Sequence, residues 1–247
     1  MTAERISALR QLWQEAFDDP DDFLDVFFSD SIAADGYHCI LENNIPVSAL
    51  YWFDCELQGH RLAYIYGVAT LKSHRGRGLA RQLMAETHEI LRKQGYSGAV
   101  LVPEEAHLFD FYRKLGYRTV STVAEFSCSW GDSPLPLREI GAEEYARLRR
   151  KWLPEGGVVQ EGETLAFLQS YARFYAGEDF LLVGEHLRGS LVSQELLGNS
   201  DAAPGILRTL DIPRGHFRTP GTDLDFAMFL PLEKDCPLPA WFGLSLD

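Results

Sequence analysis

Apolar residues change their spacing twice between residues 60 and 102. Tyr64-Ile65-Tyr66-Gly67-Val68-Ala69 is an almost unbroken aromatic and β-branched run, which predicts a buried strand. A polar stretch follows, and then Leu79, Ala80, Leu83, Met84, Thr87, Ile90 and Leu91 recur at helical spacing. The spacing predicts a helix over 78–94, closed by Gly95 in a left-handed conformation. Residues 98–102 are again continuous and apolar, a second buried strand. Upstream, Ile6, Leu9, Leu12, Trp13, Ala16 and Phe17 mark one face of a helix over 4–17, which Asp18-Asp19-Pro20 stops. Asp21 or Asp22 is placed to cap a second helix over 23–28. An antiparallel meander is expected from strands over 37–42, 46–53 and 61–66, turned at Asn43-Asn44 and at Gln58-Gly59-His60. Pro103-Glu104-Glu105 is expected to open a helix that Gly116 ends, followed by a strand over 117–126.

Residues 130–136 are dominated by turn formers and mark a boundary. Beyond it the pattern predicts helices over 142–152 and 164–175, and strands over 180–183 and 190–197. A short helix over 204–210, a Pro- and Gly-rich loop over 213–222, a strand over 226–230 and another over 241–246 complete the chain. Two helices followed by strands repeats the order of the first half. The expected organisation is an α/β domain over 1–130 and a smaller α+β domain over 137–247.

The chain has 247 residues, 46% of them apolar, enough for a packed core. No run approaches the roughly 18 apolar residues that a membrane-spanning helix needs. No export signal is evident at the N-terminus, and Cys39, Cys55, Cys128 and Cys236 are widely spaced. Reduced thiols and a cytoplasmic location are expected. Neither cysteines nor histidines cluster at ligand spacing, so no metal site is expected. The net charge of −13 argues against nucleic acid and suits a cationic amine, although solubility alone would also account for it.

The polar stretch between the strand and its helix is basic and glycine-rich: Arg75-Gly76-Arg77-Gly78-Leu79-Ala80. The first turn of a helix carries unpaired N–H groups and partial positive charge. Glycines let an anion approach the backbone, and Arg75 and Arg77 add charge at the rim. The expectation is a pyrophosphate seat. A Walker loop is absent, and the third glycine of a dinucleotide fingerprint is replaced by Arg81.

This loop fits Arg/Gln-x-x-Gly-x-Gly/Ala and resembles the acetyl-coenzyme A loop of the GCN5-related N-acetyltransferase (GNAT) superfamily. Gly67-Val68-Ala69-Thr70 looks like that family's fourth strand, and Phe111-Tyr112-Arg113-Lys114-Leu115-Gly116-Tyr117 like its later Phe-Tyr-x-Lys-x-Gly-Tyr segment. The resemblance covers residues 1–130. It implies a mixed, mostly antiparallel sheet flanked by helices, with two strands splayed around the pantetheine arm. It also implies direct acetyl transfer from acetyl-coenzyme A to a primary amine of a small molecule or peptide. The coenzyme would be held by Val68, Ala69, Thr70, the residues from Arg75 to Ala80, and Phe109. Family habit leaves a homodimer open.

Within that resemblance Tyr112 matches the general acid that protonates the leaving thiolate, with aromatic packing as the alternative role. Glu105 stands where many members have asparagine, and the strand before the loop lacks their usual basic carboxylate. Glu104 and the C-terminal residue Asp247 are the candidates for the base. A coenzyme-binding module without catalysis is the other reading. The repeated element order suggests that the domain over 137–247 is a second, degenerate GNAT-like half; it has no matching loop, and no second cofactor is expected there. Arg214-Gly215-His216-Phe217-Arg218 is its nearest string, assigned to packing or substrate contact.

Overall fold

The computed structural model describes residues 2–28 and 36–246. Helices α1 (Ala3–Phe17) and α2 (Asp21–Phe27) come first, then strands β1 (Tyr37–Glu42), β2 (Ile45–Leu57) and β3 (His60–Thr70). Helix α3 (Leu79–Lys93) leads to β4 (Gly98–Leu101), and α4 (Ala106–Arg113) to β5 (Arg118–Ser129). The second half contains β6 (Arg138–Ile140), α5 (Ala142–Trp152), α6 (Glu163–Gln169), β7 (Arg173–Ala176), β8 (Phe180–Leu187) and β9 (Ser190–Gly198). It ends with α7 (Ala203–Thr209), β10 (Arg214–Pro220) and β11 (Leu224–Pro231).

Most elements sit where their periodicity put them, and the exceptions have identifiable causes. Helix α2 begins earlier than expected, with Pro20 at its N-cap and Asp21 and Asp22 in its first turn. Helix α4 begins later, so Glu105 is its N-cap residue and Glu104 lies before it. The helical pattern after residue 163 stops at Gln169, and Arg173–Ala176 becomes β7 between β6 and β8. The segment read as a Pro- and Gly-rich loop is β10, paired antiparallel with β5 and parallel with β9. Pairing on both sides outweighs its turn-forming composition. Residues 241–246 form an extended tail rather than a strand, with one isolated bridge between Trp241 and Gly157.

Among the described residues the strands form one 11-stranded sheet, ordered β1-β2-β3-β4-β11-β5-β10-β9-β8-β7-β6. It is antiparallel except at β3–β4 and β9–β10, each a strand–helix–strand crossover. The connection over 130–136 joins β5 to β6, and the sheet continues past it because the halves exchange strands. Strand β11 lies between β4 and β5, and β5 pairs with β10.

Alternation along the strands builds both faces. In β2, Tyr51, Phe53, Cys55 and Leu57 join a core under α1, α2 and α6, while Leu50 and Trp52 join another under α3 and α4. In β8, Leu181 and Val183 face the first core, and Phe180 and Leu182 face a third under α7. Helix α5 is fixed to β9 by a fully buried pair, with Arg149 Nε 2.7 Å from Glu195 Oε2 and the Tyr145 hydroxyl 3.1 Å from the same oxygen. No helix among the described residues is long and apolar enough to cross a membrane.

The strand exchange has a direct test. A fragment of residues 1–136 would expose the facing edges of β4 and β5, and is expected to aggregate rather than fold. Size-exclusion chromatography and far-UV circular dichroism check this; a soluble monomer with a cooperative melt would contradict it.

Candidate active site

The site begins where β3 departs from regular pairing. Ala49 faces Ala69 and Tyr51 faces Tyr66, so Leu50 stands opposite two residues, Gly67 and Val68. This bulge leaves backbone groups of β3 outside the ladder. Gly67 makes it possible, since its φ is +61° and a Cβ there would run into the Trp13 ring. Strand β4 pairs with β3 only from Leu62 to Tyr64, while β3 continues to Thr70. The two parallel strands therefore part at the bulge.

The gap opens into a cleft of about 700 Å³. Its walls come from α1 and α2 (Trp13, Phe17, Phe23), from β3 (Tyr64, Tyr66, Val68), and from the β4–α4 segment (Glu104, Glu105, Leu108, Tyr112). The second half adds Ser170, Tyr171, Glu185 and Leu246. Tyr112 is 7% exposed, and its ring packs against Phe111 and Tyr117. Burial pushes its pKa up to about 12, so the phenol holds its proton at neutral pH. Its hydroxyl has no partner among the described residues. Glu104 and Glu105 lie on the same cleft, and Glu105 is 3.1 Å from His107 Nδ1.

Beyond Thr70 the chain makes one 3-10 turn and enters the glycine loop. Gly76 and Gly78 have φ of +76° and +78°, and the space where a Cβ would sit is open at both. Gly78 is the N-cap residue of α3, and no side chain caps that helix. The loop thus presents free N–H groups to an anion. Arg75 Nε donates to the Thr70 carbonyl at 3.1 Å. Arg77 is held by Glu42, 2.6 Å away, and this contact draws the Glu42 pKa down. Its charge is shared with β1 rather than wholly free at the rim.

The acetyltransferase (GNAT) domain model matches residues 1–120. Residues 1–120 belong to the GNAT superfamily. Solved structures agree on the fold across nearly the whole chain. A GCN5-related N-acetyltransferase from Kribbella flavida superposes with a TM-score of 0.68 at 20% identity, over 94% of this chain and 71% of that one. A GCN5-related N-acetyltransferase from Anabaena variabilis gives 0.67 at 17%, over 94% and 71%. Eis1 from Mycobacterium abscessus gives 0.64 at 14%, over 94% and 72%. No curated protein matches the chain. The mixed, mostly antiparallel GNAT sheet expected from the sequence is present, and family and fold together support acyl transfer.

On this GNAT frame the bulged strand, Tyr112 and Glu104 share one cleft. Val68 lines it, whereas Ala69 and Thr70 lie beyond it toward the loop, with the Ala69 carbonyl accepting from Ser48 Oγ at 2.9 Å. Leu79 is buried at the start of α3, beside half-exposed Ala80. Phe109 packs into the core under α3 and α4, and its neighbour Leu108 lines the cleft instead. Asp247 lies outside the described residues. Of the aspartates between α1 and α2 and on α2, Asp19 and Asp22 reach the cleft, while Asp25 pairs with Arg10 at 2.9 Å. Sequence reading missed Tyr171, Glu185 and Leu246. Glu185 did leave a signal: it continues the apolar alternation of Leu181 and Val183 with a carboxylate.

Gly67→Ala is expected to lower stability by about 2–4 kcal/mol, from overpacking against Trp13 and from the left-handed backbone. Chemical denaturation measures it, and an unshifted midpoint would show that the bulge does not depend on glycine.

Proposed function

We propose that the protein transfers acetyl from acetyl-coenzyme A directly to a primary amine. The observation that carries this reading is one cleft holding a bulged strand, a buried unpartnered tyrosine and a free carboxylate, next to an uncapped glycine-loop helix. The open space above Gly76 and Gly78 suits a pyrophosphate, and backbone groups of the bulge at Val68 suit the amides of a pantetheine arm. In the overall exchange a C–S bond breaks and an N–C bond forms, the nitrogen gives up a proton and the sulfur gains one.

The chain's own residues divide that work. Tyr112 holds a proton at its hydroxyl and can donate it to a departing thiolate, because burial keeps the phenol neutral. Backbone N–H groups around Val68 polarise the acyl oxygen. Glu104, exposed at the cleft mouth without a partner among the described residues, is the group in place to take the ammonium proton.

Two measurements test this. Calorimetric titration with acetyl-coenzyme A is expected to show micromolar binding that Gly78→Glu abolishes, since the substitution puts a carboxylate into the anion seat. No binding by the folded wild type would remove the coenzyme from the reading. Tyr112→Phe is expected to lower kcat by roughly 10²-fold with coenzyme affinity unchanged; an unaltered kcat would leave Tyr112 a packing residue.

A further inference from the structure

The charged side chains lining the cleft are all carboxylates: Asp19, Asp22, Glu104, Glu105 and Glu185. Three of them are engaged. Asp19 accepts from Trp13 Nε1 at 2.8 Å, Asp22 from the Phe23 amide at 2.9 Å, and Glu105 is paired with His107. Glu104 and Glu185 have no hydrogen-bond or ion-pair partner among the described residues. They come from different halves of the chain, Glu104 from the segment after β4 and Glu185 from β8. Tyr112, more than nine-tenths buried and with no hydrogen-bond partner among the described residues, lines the same cleft and is an independent sign of a ligand.

Glu185 is the unusual one. It follows Leu181 and Val183 on the apolar face of β8, where burial raises its pKa and no cation answers it. A carboxylate partly removed from water is stabilised by a charged donor. The lining residues include no lysine, arginine or histidine, so a charged donor in this cleft would come from the ligand. The rings of Phe23, Tyr66 and Tyr171 line the intervening space and favour a cation over their faces. A simple amine would satisfy one of the two free carboxylates; two ammonium groups on one flexible chain would satisfy both.

We propose that the acceptor is a diamine or polyamine, and that Glu185 binds the ammonium that does not react while the reacting nitrogen lies at Glu104 and Tyr112. This rests on the acetyl-transfer reading. The first half then supplies the chemistry, and the second half selects the acceptor.

The test compares spermidine, 1,6-diaminohexane and n-hexylamine as acceptors for wild type, Glu185→Gln and Glu185→Asp. Titration calorimetry with acetyl-coenzyme A and with 1,6-diaminohexane accompanies it. Wild type is expected to favour the two polycations by about ten-fold or more in kcat/KM, the yield of one charge-assisted hydrogen bond. Glu185→Gln should raise the 1,6-diaminohexane KM and weaken its calorimetric binding by about ten-fold, with kcat and n-hexylamine turnover unchanged. Glu185→Asp should restore part of the preference. Equal use of all three amines by an active wild type overturns the proposal alone, as does a Glu185→Gln loss shared equally by n-hexylamine. A folded wild type that binds no acetyl-coenzyme A overturns the acetyl-transfer reading, and this proposal with it.

Discussion

A strand at the edge of a sheet presents a row of unpaired N–H and C=O groups, and each half of this chain has such edges to dispose of. Here each half covers the other's. Strand β11 lies along β4, β5 lies along β10, and the two exchanged strands pair with each other at the centre of the sheet. The close fit of Phe229 against Gly98, where a side chain would collide with the ring, shows how tightly β11 is seated. Because β4 is held from that side, its other edge can leave β3 after Tyr64 without the sheet coming apart.

That parting of β3 and β4 creates the cleft, and the exchange also brings the second half to its wall. The tail after β11 crosses the core with its backbone satisfied one group at a time. Ser121 Oγ donates to the Phe242 carbonyl at 2.8 Å, Gln160 to the Leu244 carbonyl at 2.8 Å, and Tyr171 to the Leu246 carbonyl at 2.8 Å. The Leu246 amide donates to the Tyr64 hydroxyl. Ser121 and Tyr64 belong to the first half, Gln160 and Tyr171 to the second. A segment without a neighbouring strand can be buried only if side chains meet its polar groups this way. The tail is thus a seam between the halves, and Leu246 within it lines the cleft.

The site combines two environments set by burial. Tyr112 is enclosed by aromatic rings that raise its pKa and keep it protonated, while Glu104 lies in water at the cleft mouth. The proposed acid and base roles follow that difference in burial. The glycine loop is built differently, from uncapped backbone N–H groups at the start of α3, with Glu42 tying down Arg77. Its course depends on φ angles that only glycine adopts at low cost, at Gly76 and Gly78.

Local rules made a good part of this legible in the sequence. The switch from strand to helical spacing located β3 and α3 with the glycine loop between them, and the Phe-Tyr segment lies on α4 as expected. These features arise within a few residues of each other, where periodicity and backbone preference act directly. The pairing partners of β5 and β11, the identity of 214–220 as a strand, and the arrival of Glu185 and Leu246 at the cleft were decided elsewhere. Each depends on which distant edge a segment meets, and a strand's hydrogen bonds are to another strand rather than to itself. The sequence by itself determined most of the elements and the glycine loop; the tertiary structure decided the strand exchange, and through it which residues of the second half line the cleft.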